Sequence, residues 1–242
     1  MSSSPSPRDR RYHELVDPHR RASWLSDVIL GGQDGIVNVL GVILGVAAAS
    51  QSPRLTLVAG LAAALAESAS MAAVAYTSSI ASGDYYRGER AREYRHIAAV
   101  PELERAEIRE IYVRKGFDGE LLDRIVETIT GDKEVWVAVM MAEEHGLTDT
   151  SRSASLRSAS VVGIASLVGS LLPLGPFVLA PVKAASWVAV VLSAAALFAL
   201  GAYKAKATVG RPWKSGLELA CIGTVSALLG YGIGSIFQTA GP

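Results

Sequence analysis

Five stretches of about 20 mainly apolar residues divide this chain, and each is long enough to cross a bilayer as a helix. They cover residues 28–49, 55–80, 156–172, 182–203 and 217–237, with prolines and glycines between them. Only 19% of the residues are charged, and 28 of the 46 charged residues lie between Gly83 and Arg157. The pattern predicts an all-α polytopic membrane protein with five transmembrane helices and a polar helical segment, residues 83–150, here called the insert, between helices 2 and 3.

The distribution of basic residues predicts the orientation of the chain. Lys and Arg collect before the first span, in the insert and between the fourth and fifth spans, and positive loops stay on the cytoplasmic side. With five spans, all three segments fall on one side, so we expect a multi-pass protein with a cytoplasmic N-terminus and a cytoplasmic insert. The predicted organisation is a disordered basic arm (1–22), spans 1 and 2 (23–82), the insert (83–150) and spans 3 to 5 (151–242).

Glycines recur at four-residue spacing within the predicted spans. Gly41 and Gly45 form one such pair, and Gly230 and Gly234 form another. Any single pair is explained by the abundance of glycine in membrane helices, but together they favour a tightly packed bundle, since small residues let helix backbones approach.

Two carboxylates fall inside the predicted spans. Asp34 lies in span 1 with Asn38 one turn later, and Glu67 lies near the middle of span 2 with Met71 one turn later. A single carboxylate in mid-span can be protonated and merely hydrogen-bonded, but two on adjacent spans indicate an ion path. A carboxylate with a thioether is a mixed hard and soft ligand set that suits Fe²⁺ or Mn²⁺ better than Mg²⁺ or Ca²⁺.

The insert places acidic, His and Met side chains at one-turn spacing along its predicted helices. Each such pair faces one side of its helix, where neighbouring helices can complete a cluster. A solvated charged surface and a plain methionine core explain the same pattern, and composition alone leaves both readings open. The candidate ligands are Glu93, His96, Glu104, Glu107, Met140, Met141 and Glu144.

These residues resemble the vacuolar iron transporter family over nearly the whole chain after about residue 20. The resemblance rests on Asp34-Gly35, on Ser70-Met71-Ala72, on Glu-Ile-Tyr-Val-Arg-Lys-Gly at 110–116 and on Met-Met-Ala-Glu-Glu-His-Gly-Leu at 140–147. It implies a dimer that exports cytosolic Fe²⁺ or Mn²⁺ while protons move the other way, with an insert that binds metal through Glu and Met.

The resemblance also implies roles for individual residues, with two departures. It places Asp34 and Met71 in the pore, and it makes the four glutamates and two methionines of the insert metal ligands. His96 stands where the family pattern has another glutamate. In span 2 the family's glutamate corresponds to Ala63, so Glu67 acts one turn further along the helix.

We therefore expect a transporter of Fe²⁺ or Mn²⁺, with Co²⁺ and Zn²⁺ as further candidates, a proton counter-ion, a homodimer in membrane lipid, and neither a prosthetic group nor a nucleic-acid partner. The expected membrane is the inner membrane in a bacterium or the vacuolar membrane in a eukaryote. The sequence contains no nucleotide-binding loop, so we expect transport to use ion gradients or the membrane potential rather than ATP. The alternatives are a metal sensor or a di-iron enzyme, since Glu93-x-x-His96 is half of a ferritin-like motif.

Overall fold

The computed structural model describes residues 23–237, so the predicted arm 1–22 lies outside the described residues. Within that range the regular structure is helical. The helices are α1 (Ser23–Ser50), α2 (Pro53–Ala99), α3 (Pro101–Arg114), α4 (Gly119–Thr130), α5 (Lys133–Glu143), α6 (Arg152–Leu171), α7 (Gly175–Leu179), α8 (Val182–Ala207) and α9 (Pro212–Ile236).

Five of these helices, α1, α2, α6, α8 and α9, are long and apolar enough to cross a membrane. The predicted all-α class and the five spans are therefore confirmed. Each helix extends beyond its apolar stretch, because polar residues at the ends continue the hydrogen-bonded turns outside the apolar window. The largest extension is in α2, whose 47 residues continue without a break into the insert.

The short helix α7 was not predicted from the sequence. Pro176 occupies its first turn, and Pro181 precedes α8, so prolines bound a segment too short for a periodic pattern. Phe177 of α7 is 2% exposed and packs into the same apolar core as Leu40 and Ile43 of α1. The segment is thus part of the packed bundle although its sequence, Gly-Pro-Phe-Val-Leu, is too short to show a helical pattern.

The chain forms two compact units, and the first contains the described residues up to Val74 and from Arg157 onward. In this unit α1 and α9 touch through their glycines: a Cβ at Gly230 or Gly234 would collide with the carbonyl oxygen of Gly41 or Gly45, respectively. Such contact requires glycine, which explains the spacing in both helices. The hydroxyl of Ser226 adds a hydrogen bond of 3.0 Å to the Val37 carbonyl.

The second unit comprises Ala75–Leu156 and contains the insert. Its core is formed by apolar residues of α3, α4 and α5 together with Ile97 of α2. Asp132 is the N-cap of α5, and its side chain accepts hydrogen bonds from the backbone N–H groups of Glu134 and Val135. An ion pair of 2.8 Å between Arg90 and Glu134 joins α2 to α5 at the surface.

A tight turn ends α5. The helix ends at Glu143, and Gly146 adopts a positive φ of 62° that L-residues other than glycine rarely adopt. The backbone N–H of His145 turns back to the Met140 carbonyl at 3.3 Å, and that of Leu147 bonds to the Met141 carbonyl at 3.0 Å. His145 therefore lies in the terminating turn rather than on the helix.

Candidate metal sites

Asp34 of α1 and Glu67 of α2 come together in the first unit, and we call them the membrane pair. Both are partly buried, and the Asp34 carboxyl interacts with the side chains of Glu67 and Asn38. Gly35 brings this part of α1 against α6, because a Cβ at that position would collide with the Ser166 carbonyl oxygen. Two acidic groups from different helices thus meet within helices that are apolar enough to span a membrane.

The other residues predicted for the pathway lie on the same two helices. Met71 is partly buried one turn after Glu67, and Asn38 is exposed one turn after Asp34. The hydroxyl of Ser68 donates to the Ala64 carbonyl at 2.6 Å, so its hydrogen is used within α2. The predicted donor groups of the pathway are the two carboxylates, the Asn38 amide and the Met71 sulfur, and all four lie on α1 and α2.

In the second unit, Glu93 and His96 of α2 meet Glu104 of α3, and we call these three residues the insert cluster. Each offers one ligand atom, and the three atoms lie within 4.8 Å of one another. Nδ1 of His96 is 3.4 Å from Oε1 of Glu104. Pro101 makes this meeting possible, because it starts α3 directly after α2 ends and turns the acidic first turn of α3 back toward α2.

The two glutamates of the insert cluster are buried, at 3% exposure each. The Oε2 atoms of both Glu93 and Glu104 are inaccessible to water and have no hydrogen-bond partner. A buried carboxylate oxygen without a partner is costly, and native proteins normally satisfy such groups. A cation held between the two carboxylates would supply the missing interaction.

The electrostatics of the insert cluster favour a cation as well. Burial raises the pKa of Glu104 to about 7, and the negative charges of neighbouring carboxylates, Glu107 first, add to the effect. Partial burial also raises the pKa of Glu144, again with Glu107 as the next cause. Acidic groups that destabilise one another's ionised forms gain from a divalent cation, which neutralises their charges at once.

Glu107 and Glu144 lie beside the insert cluster, and their negative charges add to the effect of burial on the pKa of Glu104. The two methionines have apolar surroundings instead. Met140 and Met141 are 0% and 1% exposed and belong to the apolar core of the unit, with Trp136 among their neighbours. Their proposed role as thioether ligands stays a prediction.

One residue near the cluster was missed by the sequence analysis. Nε2 of His145 lies 3.0 Å from Oε1 of Glu93, so a second imidazole reaches the buried carboxylates. The available signal was the position of His145 directly after the candidate ligand Glu144 and before a helix-ending glycine. Helical spacing alone pairs His145 with residues of α5 and gives no reason to expect a contact with α2.

Comparisons with a family model and with known proteins point to the same family. A model described as the VIT family matches residues 25–235. The chain is 30% identical to "Vacuolar iron transporter 1" of Eucalyptus grandis over 97% of this chain and 96% of that protein. It is 32% identical to "Vacuolar iron transporter 1" of Arabidopsis thaliana, over 93% and 92% of the two chains. It is also 31% identical to "Vacuolar iron transporter" of Toxoplasma gondii, over 94% and 80%.

Proposed function

The chain belongs to the VIT family, and from that premise we propose that it exports cytosolic Fe²⁺ or Mn²⁺ across its membrane in exchange for protons. It is an integral membrane protein that transports metal, and it is not an enzyme. The resemblance seen in the sequence is thereby confirmed. The metal preference, the proton coupling, the direction and the roles of single residues are the substance of the proposal.

The observation that carries the proposal is the membrane pair. Placing a charged side chain at the centre of a bilayer costs about 2.5–3.5 kcal/mol even on insertion scales, so two carboxylates that meet there require a compensating charge. A divalent cation provides it, and so do protons. Because both bind the same oxygens of Asp34 and Glu67, their competition gives a direct physical route to exchange of metal for protons.

The donor atoms along the pathway favour transition metals. Carboxylates and the Asn38 amide bind hard ions, and the polarisable sulfur of Met71 adds affinity for softer ones such as Fe²⁺. The imidazole of His96 in the insert cluster likewise favours transition metals. It makes Co²⁺ and Zn²⁺ further ions to test. A metal sensor would not need the membrane pair, which is why transport is preferred.

We propose that the insert is a cytoplasmic capture site. Its ligands are the buried carboxylates of Glu93 and Glu104 and the imidazole of His96, with Glu107 and Glu144 supporting them. The N-terminus lies on the same side, since basic residues follow the cytoplasmic face. A homodimer in lipid completes the proposal: in a single chain Val58, Leu61 and Leu65 of α2 are exposed, and a second copy or lipid must cover them.

Metal flux into proteoliposomes tests the proposal directly. Purified protein is reconstituted, and uptake of Fe²⁺, Mn²⁺, Co²⁺ and Zn²⁺ is measured with and without a pH gradient. We expect uptake of Fe²⁺ or Mn²⁺ that accelerates when the compartment receiving the metal is acidic. Flux that is indifferent to the gradient would refute proton exchange but not transport, and an absence of flux for every metal would refute both.

Glu67 and Met71, the two predicted pathway residues of α2, should contribute unequally to the rate of transport. Glu67→Gln removes a charge from the membrane pair, so we expect the initial rate to fall by at least about tenfold, equivalent to about 1.4 kcal/mol. Met71→Leu keeps the volume and removes only the sulfur, so we expect a milder loss that is larger for Fe²⁺ than for Mn²⁺. Initial rates in proteoliposomes measure both.

Glu218→Gln is a matched control for the Glu67 variant. Glu218 is a carboxylate on another membrane helix, α9, and its side chain is exposed. The Glu218→Gln variant should transport metal like the unmodified protein. Normal transport by a folded Glu67→Gln variant would make Glu67 a structural residue.

Metal binding by the insert should weaken as the pH falls. The pKa of Glu104 is raised from 4.5 to about 7, so this carboxyl is largely protonated below pH 7 in the metal-free protein. An incoming ion must then displace that proton, and the affinity should fall by about tenfold per pH unit below 7 for each proton displaced. Titration calorimetry between pH 7.5 and 6 measures the slope, and buffers of different ionisation enthalpy count the protons released.

Glu104→Gln provides the control for this dependence. It should weaken binding at every pH and flatten the slope below pH 7, because the titrating group is gone. An affinity that does not change between pH 7.5 and 6 would contradict the assignment of Glu104 as a ligand.

A further inference from the structure

His145 is a second imidazole at the insert cluster, and its surroundings differ from those of His96. Its Nε2 atom lies 3.0 Å from Oε1 of Glu93, and its side chain is 24% exposed whereas that of Glu93 is 4% exposed. Among the described residues, the group whose ligand atoms lie within 4.8 Å of one another consists of Glu93, His96 and Glu104, without His145. His145 therefore meets the cluster through one oxygen of Glu93.

The terminating turn of α5 creates this contact. The backbone N–H of His145 bonds to the carbonyl of Met140, five residues earlier, so His145 lies off the helical path, and the positive φ of Gly146 then redirects the chain that follows. Its ring can then cross to α2, where it reaches Glu93. The sequence Glu-His-Gly at 144–146 thus places an imidazole next to a buried carboxylate on another helix.

The contact with His145 leaves the two oxygens of Glu93 in different surroundings. With the proton on Nε2, the ring donates a hydrogen bond to Oε1, while Oε2 stays buried and without a partner. A carboxylate held at one oxygen loses rotational freedom, so its other oxygen keeps one direction. Groups that orient metal ligands in this way typically change metal affinity by about 10- to 100-fold when they are removed.

We propose that His145 is a positioning residue that holds Glu93 for a divalent transition metal bound by Glu93, His96 and Glu104. The proposal rests on the proposed metal site of the insert and adds a residue to it. The metal itself meets one imidazole nitrogen and two carboxylates, and the second imidazole acts through Glu93. Removing His145 should therefore weaken binding without changing the ligand field of the bound ion.

Titration of the full-length detergent-solubilised protein with Co²⁺ tests this, because the visible absorption of Co²⁺ reports its ligands and the titration reports its affinity. For His145→Ala we expect the dissociation constant to rise at least about tenfold, with absorption bands at saturation unchanged in position. For His145→Gln we expect recovery toward the original affinity, because the side-chain amide of Gln can donate to Glu93. Melting temperatures are recorded for each variant.

Glu134→Gln is the matched control. It removes the Arg90 ion pair, which joins α2 to α5 itself and does not involve the insert cluster. It should leave the Co²⁺ affinity unchanged. An equal loss of affinity in Glu134→Gln and His145→Ala would show that any tether between these helices has the same effect, and would overturn the positioning role.

Two further outcomes separate the proposals from each other. A shift of the Co²⁺ bands in both His145 variants, without recovery in the Gln variant, would make His145 a direct ligand and overturn the positioning role alone. If the double variant Glu93→Gln, Glu104→Gln binds Co²⁺ as the unmodified protein does, the insert holds no metal site. That result would refute the proposed capture function together with the role of His145.

Discussion

Asp34→Asn is expected to reduce metal flux to the background rate of protein-free liposomes while the protein remains folded. The substitution keeps the size of the side chain and removes its charge, so a metal ion that reaches Glu67 meets one carboxylate instead of two. Removing one partner from a buried charge interaction costs about 2–5 kcal/mol, and the lower part of this range already slows passage by well over tenfold. Initial uptake rates in proteoliposomes, at several metal concentrations, measure the loss.

Asp27→Asn is the control for this prediction. Asp27 lies two turns earlier on the same helix, α1, and is also partly buried. The substitution is chemically identical and should leave most of the flux intact. Metal uptake at the normal rate by a folded Asp34→Asn variant would contradict the assignment of Asp34 to the pathway.

The same variant also tests proton coupling. If metal and protons compete for the oxygens of the membrane pair, Asp34→Asn should abolish metal-driven proton movement together with metal flux. A pH-sensitive dye inside the liposomes reports the proton movement in the same preparation. Proton movement that continues without metal flux would place the proton route on other residues.

The five membrane-spanning helices could be predicted from the sequence because their signals are local. A run of about 20 apolar residues has few alternatives to a spanning helix, and Pro101, Gly116 and Gly146 mark breaks in the insert. The short helix α7 was missed for the same reason: between prolines there is no room for a periodic pattern. Its burial depends on Phe177 meeting the core around α1, which is a contact between distant segments.

The candidate sites divide in the same way. The meeting of Asp34 and Glu67 could be expected, because carboxylates in apolar helices have few other means of stabilisation. The contact between His145 and Glu93 could not, since it depends on how the turn after α5 aims one side chain at another helix. The sequence also did not indicate which glutamates are buried. Glu93 and Glu104 are buried, whereas Glu102 and Glu110, at similar spacing, are exposed.

Replacing Glu93, Glu104, Glu107 and Glu144 together by Gln should reduce flux at low metal concentration and spare it near saturation. In the proposed capture site these residues bind or support the ion, so their loss should remove capture and leave the membrane pair unchanged. We expect the half-saturating metal concentration to rise at least about tenfold, or about 1.4 kcal/mol, with the maximal rate nearly unchanged. Initial rates against metal concentration separate this behaviour from that of Asp34→Asn, which should fail at every concentration.

The matched control replaces four exposed glutamates of the insert, Glu102, Glu110, Glu127 and Glu134, by Gln. It removes the same number of charges from the same unit and should leave the half-saturating concentration unchanged. A similar rise in this control would mean that the insert attracts cations through its overall charge, without a defined site.

Stability distinguishes a site built for metal from one built for folding. In the metal-free protein burial, together with the neighbouring carboxylates, raises the pKa of Glu104 and of Glu144, and two buried oxygens have no partner, so the site disfavours the folded state above the usual carboxyl pKa. The variant with all four glutamates replaced should therefore be at least as stable as the unmodified protein without metal at pH 7.5, and it should lose the gain in melting temperature that metal confers.

The flux of the same variant separates a capture site from a gate. If the variant is folded but inactive at every metal concentration, the insert acts as a gate that must bind metal before passage. Recovery at high concentration assigns it to capture, because an excess of ions replaces a capture site but cannot open a closed gate.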